Sequence, residues 1–133
     1  MKKNKSIKNT FSGYKVFGIV SQLKDYKIAY LINNSLNIFL EKQLSDEDLT
    51  FFYYFSNGVD YDYFFLTPNQ KTEEIFKMLK NISGILLLKP HIPTEKPDSV
   101  AAQLMQNTEI IACLKLSVEI LEYLQKILEI ENE

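Results

Sequence analysis

Apolar and polar positions along the chain fall into two periods, and the switches between them predict the elements. Residues 14–20 form a first apolar block, read as a strand that ends where Ser21 offers a helix cap. From 22 to 35 the spacing turns helical: Ile28, Ala29, Ile32 and Leu36 share one arc, extended by Leu23, Tyr26 and Tyr30. Lys24, Lys27, Asn34 and Ser35 take the other side, with Leu31 among them. An arc that wide predicts a helix lying across a sheet. Asp25 projects into the apolar arc, either as a first-turn carboxylate satisfied by free backbone N–H groups or as a buried carboxylate beneath a pocket.

A short strand is expected over 37–40 or slightly beyond, followed by the acidic loop Ser45-Asp46-Glu47-Asp48. That loop lacks the alternating ligands, glycine and distal glutamate of a calcium site, so it reads as a solvated turn. The sharpest local signal comes next. Two aromatic runs, 50–56 and 59–66, flank Asn57-Gly58, the dipeptide of a two-residue hairpin loop. Such a loop sets Tyr54 opposite Tyr61 and Phe52 opposite Tyr63 on a core face. The other face carries Tyr53 opposite Asp62 and Phe55 opposite Asp60, and is expected to see water, at least near the turn. Tyr53, Asp60 and Asp62 are thereby the candidate interaction surface.

Thr67-Pro68-Asn69-Gln70 breaks the strand, and Thr72 caps a short helix burying Ile75, Phe76 and Leu79. Ile85 to Leu88 is a buried strand. Three of the four prolines fall within 90–97, marking a loop that also holds the only histidine, His91. Asp98 or Ser99 begins a helix over Val100, Ala101, Leu104 and Met105; residues 109–116 read as a further strand, with Cys113 a buried, inert thiol. A last helix over 118–130 carries the stripe Val118, Leu121, Leu124 and Leu128, widened by Ile120, Ile127 and Ile130, a width that suits a sheet or a dimer. These elements give an α+β fold: a mainly antiparallel sheet of five or six strands with helices on one face. Residues 1–12 are expected to be a flexible lysine-rich tail and 13–133 a single domain.

Composition narrows the functions. Against 17 acidic residues stand 15 basic ones, all lysine, giving a net charge of −2. The balance argues against a dedicated nucleic-acid binder, and the lack of arginine removes the bidentate fork for phosphate or carboxylate. An AT-rich coding genome accounts for the abundance of lysine, asparagine and isoleucine. Lys2, Lys3, Lys5 and Lys8 make a candidate polyanion-binding tail; no apolar stretch follows them to complete a signal peptide. With one cysteine and no membrane-length apolar run, the expected compartment is the cytoplasm. No catalytic residue, cofactor or metal ligand set is predicted: no glycine loop cradles a phosphate, and no nucleophile–base pair is evident.

The block Gly18-Ile19-Val20-Ser21-Gln22-Leu23-Lys24-Asp25-Tyr26-Lys27-Ile28-Ala29, continuing to Asn33 and Leu36-Asn37-Ile38, resembles the opening of the IPExxxDY family. These are small cytoplasmic Bacteroidetes proteins of unknown function. The likeness includes the aromatic hairpin and covers roughly the first half of the chain. The naming signature aligns with 92–99: Ile92, Pro93 and Asp98 match, whereas Thr94 and Ser99 replace the expected glutamate and tyrosine. The resemblance implies no activity.

Three functions follow as expectations. The first is a non-enzymatic interaction or regulatory module, with a protein partner or a second copy, docking through the hairpin's outer face or the last helix. The second is an RNA- or ribosome-associated factor using the lysine tail and exposed tyrosines. The third is a small enzyme that requires Asp25, Asp60, Asp62 and His91 to converge.

Overall fold

The computed structural model describes residues 13–44, 50–69, 72–91, 99–117 and 119–128. Six strands, β1 (Lys15–Ser21), β2 (Glu41–Leu44), β3 (Thr50–Ser56), β4 (Tyr61–Leu66), β5 (Gly84–Pro90) and β6 (Ile110–Lys115), form one sheet. Their order is β2-β3-β4-β5-β1-β6, and every neighbouring pair is antiparallel. Among the described residues four helices accompany it: α1 (Asp25–Leu36), α2 (Glu73–Met78), α3 (Val100–Leu104) and α4 (Ile120–Leu128). The α+β class and the antiparallel sheet are as the sequence predicts.

The helices lie on both faces, not one. Phe17, Ile19, Tyr53, Phe65, Leu86 and Leu88 pack beneath Ile28, Ala29 and Ile32 of α1 and Leu104 of α3. Val16, Phe64, Leu66, Ile85 and Leu87 pack on the other face beneath Ile75 of α2 and Ile120, Leu121 and Leu124 of α4. Successive strand residues point to opposite faces, so the unbroken buried run from Ile85 to Leu88 demands cover on both sides.

Several starts and stops move. Ser21 does not cap α1: its hydroxyl accepts the Leu23 N–H at 3.1 Å and donates to the Glu109 carbonyl at 2.9 Å, tying β1 to the approach of β6. The helix starts at Asp25, with Lys24 as its N-cap residue. At the other end Asn37 takes a left-handed conformation (φ 57°), and the Asn33 side chain accepts the Leu40 N–H at 2.8 Å. Residues 37–40 are thereby spent on the turn out of α1, and the expected strand begins only at Glu41. Thr72 is the N-cap residue of α2 as expected, but its hydroxyl makes no cap bond to the helix and donates instead to the Thr67 carbonyl at 2.7 Å.

The hairpin register differs by three residues from a two-residue loop. Tyr53 pairs with Phe65, Tyr54 with Phe64, Phe55 with Tyr63 and Ser56 with Asp62. The loop is longer because Asn57 Oδ1 accepts the N–H groups of both Val59 and Asp60, at 2.8 and 2.9 Å, while Ser56 Oγ accepts that of Gly58 (φ 74°). The gain is aromatic pairing, with ring centroids 5.8 Å apart for Tyr53–Phe65, 5.1 Å for Tyr54–Phe64 and 6.1 Å for Phe55–Tyr63.

Candidate functional site

A shift by an odd number of residues exchanges the two faces of a strand. Tyr53 is therefore not on an outer surface with Asp60 and Asp62. It is core, 4% exposed, facing α1. Asp62 takes the other face with Tyr54, Ser56 and Phe64, directly across β4–β5 from Lys89. Two residues beyond Lys89, on the same side, comes His91.

The ring of His91 closes this polar group. Its Nε2 lies 2.6 Å from Asp62 Oδ1 and 3.4 Å from Ser56 Oγ. The His91 backbone N–H donates to the Asp60 carbonyl at 2.9 Å, extending the β4–β5 ladder past Pro90. Burial raises Tyr14 and Tyr54 above the usual phenol range, and the negative charge of Asp62 raises both further. Tyr54 also hydrogen-bonds to Asp62, which adds to the rise, and to Ser56, which opposes it.

Serine, histidine and aspartate in contact suggest nucleophilic catalysis, but the atoms are wrong for it. A relay needs the acid on one ring nitrogen and the hydroxyl on the other. Here both meet Nε2. A carboxylate only accepts, so that nitrogen carries the hydrogen it donates and has no lone pair for the serine proton. The cluster straps β3, β4 and the end of β5 together at the hairpin end of the sheet.

Asp25 does not join it. It is half-buried, not enclosed, at the start of α1, where Oδ1 accepts the Tyr26 N–H at 2.7 Å, and its charge acts on Tyr53. Asp62 and His91 come together through their side chains; Asp60 joins them by its backbone carbonyl, its charge acting on Tyr63, and Asp25 stays with the α1 face. Among the described residues, no group of three or more His, Cys, Asp or Glu is placed to hold a metal ion. No described helix is long and apolar enough to cross a membrane, which says nothing of β-barrels. Lys2, Lys3, Lys5 and Lys8, and the partial signature at 92–98, lie outside the described residues.

The second distinctive region is an edge. Outer strand β2 presents Glu41, Lys42 and Gln43, the charged sort of edge that discourages pairing. Outer strand β6 is Ile-Ile-Ala-Cys-Leu-Lys; among the described residues its one strand neighbour is β1. Ile111 is 57% and Leu114 49% exposed, and Cys113 is half-buried rather than enclosed. A bulge opposite Val20/Ser21 bends only the start of β6 and leaves 112–115 in regular register. In sequence β6 looks like an interior strand; nothing local says that it is outermost. Tyr26 and Tyr30, expected within the α1 contact arc, also face solvent.

Comparison of the chain with protein-family models, with curated proteins and with solved structures gives no match.

Proposed function

We infer that this protein is a non-enzymatic, cytoplasmic protein-interaction module whose docking element is the outer side of β6, a strand whose one strand neighbour among the described residues is β1. Its membership of the IPExxxDY family belongs to the same reading. The supporting observation is the contrast between the sheet's two edges: β2 is guarded by charge, whereas β6 offers a ladder edge flanked by exposed Ile111 and Leu114. An extended strand added there gains main-chain hydrogen bonds and covers both side chains. The His91 cluster supports a non-catalytic role, since its one engaged nitrogen leaves no base for Ser56.

The test is capture of partners by the tagged full chain and by Ile111→Lys, with and without nuclease. Loss of the captured proteins in the variant, at an unchanged melting temperature, is the expected result. An identical set from both proteins sinks the edge reading. A second reading, an RNA-associated factor, draws on the solvent-facing Tyr26 and Tyr30, one helical turn apart beside exposed Lys24 and Lys27. Capture that vanishes with nuclease and falls steeply with salt selects it instead.

A further inference from the structure

We propose that the polar group at the hairpin end of the sheet is a binding site for a divalent copper ion, held by His91 Nε2, the Asp62 carboxylate, Tyr54 Oη and Ser56 Oγ. The site uses no residue of β6.

The four side chains form a closed ring. His91 Nε2 meets Asp62 Oδ1 at 2.6 Å and Ser56 Oγ at 3.4 Å. Tyr54 completes the circuit, hydrogen-bonding to Asp62 on one side and to Ser56 on the other. The sheet builds this ring. Tyr54 and Ser56 lie two residues apart on β3 and share a face, and Ser56 stands opposite Asp62. The bond from the His91 N–H to the Asp60 carbonyl then carries the chain past β5 far enough to bring the imidazole over. One nitrogen and three oxygens thus surround a common centre, each beside two of the others. Ligands about 2.1 Å from one ion stand about 3.0 Å apart in a square and about 3.4 Å apart in a tetrahedron. The two measured edges, 2.6 and 3.4 Å, bracket the square. The shorter edge holds the hydrogen that Nε2 donates. When the ion takes its place that hydrogen leaves to solvent, and Nε2 and Oδ1 move slightly apart.

The donors select the ion. An imidazole beside oxygen ligands suits zinc, copper and nickel, whereas calcium and magnesium favour oxygen alone and copper(I) favours thiolate or thioether. A near-square set of nitrogen and oxygen favours Cu(II), which also heads the affinity order of the divalent metals. The side chains of His91 and Asp62 are 28% and 20% exposed, so an ion reaches them from solvent and is then largely enclosed by protein. Lys89, opposite Asp62 on β5, is a cation that opposes binding. Two of the four ligands are hydroxyls from residues with no metal-ligand spacing, and for that reason the sequence gave no sign of the set.

The experiment titrates Cu(II) into the purified full chain carrying Cys113→Ser, which removes a thiol able to reduce the ion. Calorimetry is expected to show one equivalent bound, more tightly than Zn(II) or Ni(II). Electron paramagnetic resonance should give a tetragonal spectrum with a single imidazole nitrogen. His91→Gln and Asp62→Asn abolish this binding, Tyr54→Phe and Ser56→Ala each weaken it about tenfold, and Lys89→Gln tightens it. His91 is the only histidine, so its ring protons are identified without ambiguity by nuclear magnetic resonance. Substoichiometric Cu(II) should broaden them first, a readout that needs no variant at the site to fold. Absence of binding, equal binding by His91→Gln, or broadening that spares the His91 ring overturns the proposal and leaves the group a hydrogen-bonded strap. Binding that survives Asp62→Asn, Tyr54→Phe and Ser56→Ala together marks His91 as an adventitious surface ligand and overturns it equally.

Discussion

Gly84 shows how closely single residues are specified. A Cβ there would stand 2.5 Å from Cε1 of Phe65 and 3.2 Å from the Leu66 carbonyl oxygen. Phe65 is fully buried, so its ring has nowhere to go. Gly84→Ala is expected to cost about 1–3 kcal/mol by overpacking. A lowered urea midpoint at unchanged slope would register it, and Gly84→Ala combined with Phe65→Leu should cost less than the sum of the two. At the polar cluster the sequence offered parts without an assembly. His91 and Asp62 stand out as the lone histidine and as half of an acid pair, yet they lie 29 residues apart. Only the β4–β5 register, with Asp62 opposite Lys89, brings the His91 ring over Asp62. Ser56 signals nothing beyond the end of a strand, and its contact with that ring appears only after folding.

Among the elements, the hairpin is the instructive one. Asn57-Gly58 correctly announces a turn between two aromatic strands, but the dipeptide's own preference does not set the register. Three aromatic cross-strand pairs and the Asn57 side chain outweigh it. The consequence is measurable at Tyr53. Tyr53→Ala is expected to cost about 3–5 kcal/mol, as large-to-small changes of buried aromatics do. Tyr30→Ala, at a position 65% exposed, should stay within about 0.5 kcal/mol. With a two-residue loop Tyr53 would face water and the two variants would cost alike, so equilibrium unfolding of the pair decides the register. The displaced β2 has the same kind of cause, since Asn33 and Asn37 draw 37–40 into the exit from α1. The run from Ile85 to Leu88 held a legible clue: four consecutive apolar residues cannot all be buried by helices on a single face.

At the scale of the whole molecule, the tyrosines couple the two core layers to pH. Burial raises Tyr14 and Tyr54 on one sheet face and Tyr53 and Tyr63 on the other above the ordinary value of 10.0, with nearby carboxylates adding to each. A raised folded-state value means that the native state holds its phenol protons more tightly than the unfolded chain. That contribution is fully present below pH 10.0 and is lost as pH climbs through the folded values. Phenolate absorbance should therefore rise in two stages, the later one coinciding with loss of the folded far-ultraviolet signal. Coincidence of all ionisation with the exposed-phenol stage would contradict the burial of these rings. What the sequence determined by itself is what depends on neighbours along the chain: the α+β class, the antiparallel strands, most helix positions, and the aromatic hairpin. Periodicity and turn chemistry act over a few residues, and so they can be read there. The tertiary structure alone decided the hairpin register, the cover on both sheet faces, the meeting of Ser56, Asp62 and His91, and the place of β6 at the end of the described strand order. Each of these depends on which strand lies beside which, and that follows from the fit of packed side chains across the whole sheet, which no local pattern records.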